Sequence, residues 1–131
     1  MAKARGVNEL EAAESFFRFG FEPVGRTVYL GTDVDAEAAE NFLKAMVILD
    51  RHEGGIKIVM NSCGGSMVDG LAIYDVIRSC RNHVSIMVYG SAYSMGCVIL
   101  QAADHRILAP HSSIMFHEGT EGYESDHARN T

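Results

Sequence analysis

The sequence predicts an α/β fold, in which repeated β-α-β units build a mostly parallel sheet covered by helices. Short apolar runs typical of buried strands alternate with longer segments whose apolar residues recur at helical spacing. Strands that are apolar throughout are typical of parallel sheets, because helices cover both of their faces. The predicted order of elements is βαβαβαββ, and right-handed crossovers then bring successive strand-to-helix turns to one edge of the sheet.

Each element follows from a local pattern. The first strand is predicted at 27–31, and the helix after it at 36–52, behind Asp33 and Asp35, whose charges suit the positive end of a helix dipole. Later strands are predicted at 56–60, 84–89, 105–109 and 113–117, and later helices at 67–80 and 94–103. The apolar face of the 67–80 helix is predicted to consist of Val68, Leu71, Ala72, Val76 and Ile77.

Residues 1–24 are predicted to be an N-terminal segment with a short helix at 9–19. We expect its phenylalanines to pack on the domain or on a neighbouring subunit; these are Phe16, Phe17 and Phe19. Residues 25–131 are predicted to form the main domain.

Composition narrows the function classes. The chain has 131 residues, of which 47% are apolar, and this is enough for one domain with a real core. Its formal net charge of −6 and lack of a basic cluster argue against nucleic acid as a partner. Three cysteines in apolar or turn contexts favour a reducing cytoplasm over a disulfide framework. Apolar runs are too short for a membrane span, so we expect no membrane.

Two strand-to-helix turns carry unusual chemistry. In the first, NSCGGS at 61–66, consecutive glycines before a helix leave backbone N–H groups unobstructed and favour an oxyanion cradle. Gly65 is the candidate oxyanion donor, Gly64 and Ser66 are candidates for substrate binding, and a plain turn is the alternative. A phosphate loop is disfavoured, because no Lys-Ser or Lys-Thr pair follows the glycines.

In the second turn, GSAYSMG at 90–96, Ser94 lies between a strand and a helix. This placement suits a nucleophile elbow, in which the serine hydroxyl is exposed and the N–H of the next residue, Met95, donates to an oxyanion. The literal GxSxG elbow is absent, and the alternative is that Ser94 simply caps its helix.

A serine nucleophile needs a base, and His117 is the candidate because it ends the last predicted strand. His105, His111 and His117 recur every six residues, which is not a metal-binding spacing. We therefore expect no metal and no cofactor.

Three blocks, NSCGGSMVDGLAIYD, YGSAYSMG and SSIMFH, together resemble the proteolytic subunit of the Clp protease, a serine peptidase with a crotonase-like fold. The resemblance covers residues 25–123. It implies Ser94 as nucleophile, His117 as general base, and the N–H groups of Gly65 and Met95 as the oxyanion hole. It also implies polypeptide substrates, homo-oligomeric rings and an unfoldase ATPase of the AAA+ class as partner.

This chain departs from the family pattern at several positions. Cys63 replaces a proline, Tyr93 replaces an alanine and is expected to shape a substrate subsite, and Glu118-Gly119 replaces Gln-Pro. Family members carry the aspartate of the triad downstream, after a long helix, and we expect both to be missing from these 131 residues. Asp126 is the only aspartate after His117, and no motif makes it a substitute.

Three functions therefore stay open at this point. The first is a Clp-type serine endopeptidase subunit, with a chain that is a fragment of a longer protein and not fully active alone. The second is an inactive relative or scaffold. The third is a crotonase-like enzyme that acts on acyl-CoA thioesters.

Overall fold

The computed structural model of the chain describes residues 2–116, with side chains from residue 8 onward. The helices are α1 (Ala2–Phe19), α2 (Ala36–Leu49), α3 (Met67–Ser79) and α4 (Met95–Leu100), and the strands are β1 (Phe21–Glu22), β2 (Thr27–Val34), β3 (Ile56–Gly65), β4 (Val84–Tyr93), β5 (His105–Leu108) and β6 (Ser113–Met115).

The six strands form one sheet in the order β1-β2-β3-β4-β5, and β6 pairs with the far end of β4. Strands β2 to β6 pair in parallel, and only β1 is antiparallel, to β2. The predicted α/β fold with a mostly parallel sheet is therefore confirmed. The sequence analysis did not predict β1, because two residues carry no readable pattern.

The core lies between the sheet and a layer made of α2, α3 and α4. Alternate residues of the central strands point into this layer, and Ile58 and Ile86 are fully buried there. Helix α2 begins where the side chain of Asp35 accepts a hydrogen bond of 2.8 Å from the N–H of Ala38. This cap sets the phase of the helix and turns Phe42 and Met46 into the core.

The buried face of α3 agrees with the prediction only in part. The predicted Ile77 is buried and the predicted Val76 packs partly buried against the core, whereas Val68 is 78% exposed and Leu71 is 44% exposed. Gly70 and Ile73 are buried although they were not predicted. The side chain of Met95 on α4 occupies the space that a Cβ on Gly70 would need, a close contact between the helices that the pattern of α3 alone does not reveal.

Helix α1 lies on the opposite face of the sheet. The ring of Phe16 meets the ring of Tyr29 edge-on, with centroids 6.3 Å apart. Phe17 and Phe19 are exposed, so the expected packing on the domain holds for Phe16 alone.

Candidate active site

The end of β3 contains a β-bulge where a turn was predicted. Thr32 of β2 pairs with Ser62, and Asp33 pairs with Gly64, so Cys63 has no partner in β2. The prediction of a turn over 61–66 is therefore wrong for residues 61–65, which remain in the strand. The extra residue bends β3 without ending its pairing with β2. The glycine pair therefore lies at the carboxyl end of the strand.

The pairing of β3 with β4 is also irregular next to this bulge. Met60 pairs with Val88, and Ser62 pairs with Ala92, so β4 has extra residues between the two pairs. Asn61 bridges the irregularity, because its Oδ1 accepts hydrogen bonds from the N–H of Ser91 at 3.1 Å and from its hydroxyl at 3.2 Å. The predicted turn at 90–96 is consequently shorter, since β4 runs to Tyr93.

Ser94 occupies the junction between β4 and α4 in a strained conformation. Its φ is 56° and its ψ is −121°, a region that residues other than glycine seldom enter. Its side chain makes no capping hydrogen bond to α4, so the helix-cap interpretation does not describe this serine. Strain at a sharp strand-to-helix turn is typical of an exposed nucleophile.

Gly64 lies directly beside Ser94. A Cβ on residue 64 would lie 2.9 Å from the Cβ of Ser94 and 3.1 Å from the backbone nitrogen of Met95. The φ of Gly64 is +102°, which a side chain would strain in any case. Only a glycine therefore lets the end of β3 approach the serine this closely.

Gly65 and Ser66 complete this strand end. Ser66 donates its N–H to the carbonyl of Val34 at 2.8 Å, and its hydroxyl caps α3 by accepting from the N–H of Asp69 at 3.2 Å. Gly65, with a φ of +154°, lies so close to the backbone of Val34 that no Cβ fits. The Ser66 side chain is thus engaged in starting the helix.

Met95 and Tyr93 flank the serine. Met95 is the first residue of α4, where a backbone N–H has no acceptor within the helix, and its side chain is buried against Gly70. Tyr93 is half-buried and pairs with Met115 of β6.

Strand β6 brings the chain back to this junction. The N–H of Ser94 donates to the carbonyl of Met115 at 2.8 Å. His117 follows two residues later in the sequence and lies outside the described residues. The predicted pairing of Ser94 with His117 therefore stays a prediction.

An apolar groove of about 490 Å³ lies between α3 and α4. Its lining consists of Leu71, Tyr74, Cys97, Val98, Gln101 and Phe116. Cys97 and Val98 donate their N–H groups to the carbonyl of Ser94, so the groove begins one helical turn from the serine.

Comparison with known proteins identifies the family. The Clp protease family model matches residues 23–130. The chain belongs to the Clp protease family. An ATP-dependent Clp protease proteolytic subunit of Deinococcus radiodurans is 36% identical over 105 residues, which are 77% of this chain and 52% of that protein. Proteolytic subunit 1 of the ATP-dependent Clp protease of Gloeobacter violaceus is 40% identical over 108 residues, or 77% of this chain and 55% of that protein. The chain spans about half the length of the curated relatives it matches.

These matches confirm the resemblance to the Clp proteolytic subunit. Cys63 is the bulged residue and has no partner in β2. The Cys63 side chain is exposed.

Two further features concern membrane spans and metal ions within residues 2–116. No helix in this range is long and apolar enough to cross a membrane. Over the same range, no three His, Cys, Asp or Glu side chains are grouped to hold a metal ion.

One buried polar residue beside these candidates, Ser62, was not predicted from the sequence. Ser62 is buried, and its hydroxyl contacts both Thr32 and Gly64. The signal that could have found it is its position on the same face of β3 as Ile58 and Met60, where a polar side chain needs a specific partner.

Proposed function

We propose that the chain is the peptidase subunit of a Clp-type protease and cleaves peptide bonds by serine catalysis. The observation that carries this proposal is the backbone of Ser94, which is strained at the strand-to-helix junction and uncapped, with Gly64 against it. The names of the relatives support the same reaction class.

Each candidate residue takes one role in the proposed mechanism. The hydroxyl of Ser94 attacks the peptide carbonyl while His117 takes its proton. The N–H groups of Gly65 and Met95 donate to the oxyanion, and each such donor is worth roughly a hundredfold in rate or more. His117 returns the proton to the leaving amine, and water then hydrolyses the acyl-enzyme by the same route.

The substrate contacts are proposed from the surfaces around the serine. Gly64 and Ser66 are proposed to shape the strand end against which an extended peptide lies. Tyr93 is proposed to narrow a neighbouring subsite. The groove that begins one turn from Ser94 is lined mainly by apolar atoms, which favours an apolar substrate side chain.

We further propose that the protein works in a cytoplasmic assembly with an AAA+ ATPase that supplies unfolded polypeptide; the relatives' names, which describe an ATP-dependent protease, support the ATPase partner. Homo-oligomeric rings are part of this proposal. Large apolar side chains exposed on the described surface favour association; they include Met67, Val68, Ile107, Ile114 and Phe116.

A fluorophosphonate probe tests the reaction class. The hydroxyl of Ser94 should displace fluoride and form a stable bond to phosphorus, and Ser94→Ala should abolish the adduct seen by mass spectrometry. Ser79→Ala is the matched control, because it removes an exposed hydroxyl at the far end of α3 and should leave labelling unchanged.

Two results would refute this proposal. A longer, properly assembled form of the protein that is never labelled would favour an inactive scaffold, and hydrolysis of an acyl-CoA thioester in place of a peptide would favour the crotonase-like alternative.

A further inference from the structure

We propose that the hydroxyl of Ser62 is a positioning group for the turn beside Ser94. It engages the amide of Gly64 and thereby leaves the amide of Gly65 as the one that faces the reaction. This inference deepens the proposed function and rests on it.

The burial of Ser62 is the first observation. Its side chain is 1% exposed, and it is the one polar residue in the buried core of the described chain. Burying a hydroxyl without a partner is costly, so such a residue is retained only where it makes specific hydrogen bonds.

The two hydrogen bonds of Ser62 are the second observation. Its Oγ donates to the carbonyl of Thr32 at 3.0 Å and accepts from the N–H of Gly64 at 3.1 Å. These contacts span the bulge at Cys63, where the register between β2 and β3 shifts. The hydroxyl therefore links the two strands at the point where the ladder is interrupted.

The use of neighbouring amides is the third observation. The N–H of Gly64 is taken by Ser62, and the N–H of Ser66 is taken by the carbonyl of Val34 at 2.8 Å. Gly65 is the residue between them. Of three consecutive amides at the strand end, both outer ones thus have acceptors within the protein, and the middle one, that of Gly65, is the amide that we assign to a substrate oxygen.

The backbone of Ser62 connects the same turn to the helix that follows Ser94. A Cβ on Gly96 would lie 3.0 Å from the carbonyl oxygen of Ser62. The hydroxyl of Ser91 lies 3.4 Å from the same oxygen. A shift of Ser62 would consequently displace the backbone on both sides of the proposed oxyanion hole.

Amide hydrogen exchange measured by NMR tests the contact without any assay of activity. In Ser62→Ala, the amide of Gly64 should exchange about tenfold faster than in the wild type, because its acceptor is gone. The amide of Ser66 should be unaffected and serves as the internal control. Unchanged exchange at Gly64 would overturn the inference.

The rate of labelling of Ser94 by a fluorophosphonate tests the consequence for chemistry. We expect a loss of about 10- to 100-fold in Ser62→Ala, from misdirection of one oxyanion donor. Ser62→Thr keeps the hydroxyl and should restore most of the rate, and Ser79→Ala should match the wild type. If Ser62→Ala does not fold, Ser62→Cys replaces it in the comparison with the wild type, because a thiol is a weaker hydrogen-bond acceptor than a hydroxyl.

The two failures are distinguishable. Equal labelling rates in folded wild type and Ser62→Ala would overturn the positioning role and leave the proposed function intact. Absence of labelling in a longer, properly assembled form of the protein would refute the proposed function, and the exchange at Gly64 would then decide for or against the Ser62 contact.

Discussion

Gly65 occupies a backbone conformation that leaves no room for a side chain. Its φ is +154°, and a Cβ there would collide with the carbonyl oxygen of Val34 and lie 2.8 Å from its nitrogen. Both obstacles are backbone atoms of a paired strand, which do not move as a flexible side chain does. Sequence shows the glycine, but the need for it comes from the strand beside it.

We therefore expect Gly65→Ala to lower the free energy of unfolding by about 1–3 kcal/mol and to reduce labelling of Ser94. Thermal unfolding followed by circular dichroism measures the first effect. Gly55→Ala is the matched control, since its Cβ would meet only the carbonyl of His83 at 3.7 Å. Equal losses in the two variants would show that the approach of Val34 is not the cause.

Among the elements, the helices were largely predictable and the strand ends were not. Helices α2 and α3 lie within a few residues of their predicted bounds, because caps and apolar periodicity are local signals. The continuation of β3 through its glycine pair and of β4 past Gly90 depends on bulges and on cross-strand contacts, which no local pattern encodes. For the same reason, the sequence predicted that the turns of Ser94 and Gly64 lie at one edge of the sheet. It predicted neither the strained backbone of Ser94 nor the hydrogen bonds of Ser62.

A carboxylate at the C-terminal end of α2 links this helix to the loop that precedes β4. Asp50 accepts hydrogen bonds from the N–H groups of Arg81 and Asn82 at 3.0 and 3.1 Å, and from Nδ2 of Asn82 at 2.8 Å. Partial burial acts to raise the pKa of Asp50, but these hydrogen bonds and the charge of Arg81 outweigh it, and the pKa is lowered. The ionised form thus stabilises the folded chain.

A lowered folded-state pKa fixes the direction of the pH dependence. The stabilisation should be fully present above the unfolded pKa of about 3.9 and should be lost as the pH falls through the lower, folded-state pKa. Asp50→Asn should be less stable at neutral pH and should lose less stability on acidification, as measured by urea unfolding at a series of pH values. The exposed Glu53→Gln in the same loop is the control. An unchanged acid slope in Asp50→Asn would contradict the assignment.

The described part of the molecule has one hydrophobic core and a sheet edge, at β5, whose apolar residues are exposed. Ile86 of β4 is fully buried between the sheet and the helices, whereas Ile107 of β5 is 40% exposed. The two residues lie on neighbouring parallel strands, with Ile86 opposite Arg106 and Ile107 opposite Met87. Because both residues are isoleucines, the same substitution at each compares the buried core with the exposed edge.

Ile86→Ala should lower the free energy of unfolding by about 2–5 kcal/mol, because it removes buried methyl and methylene groups and leaves a cavity. Ile107→Ala should change it by less than about 1 kcal/mol in the monomer, since its side chain already meets water. Urea unfolding gives both values. An unchanged m value, which is the slope of the unfolding free energy against urea concentration, would show that the chain still unfolds as one unit. Comparable losses in the two variants would instead mean that the β5 edge is covered by another copy, and light scattering at the same protein concentration would then have to show a larger particle.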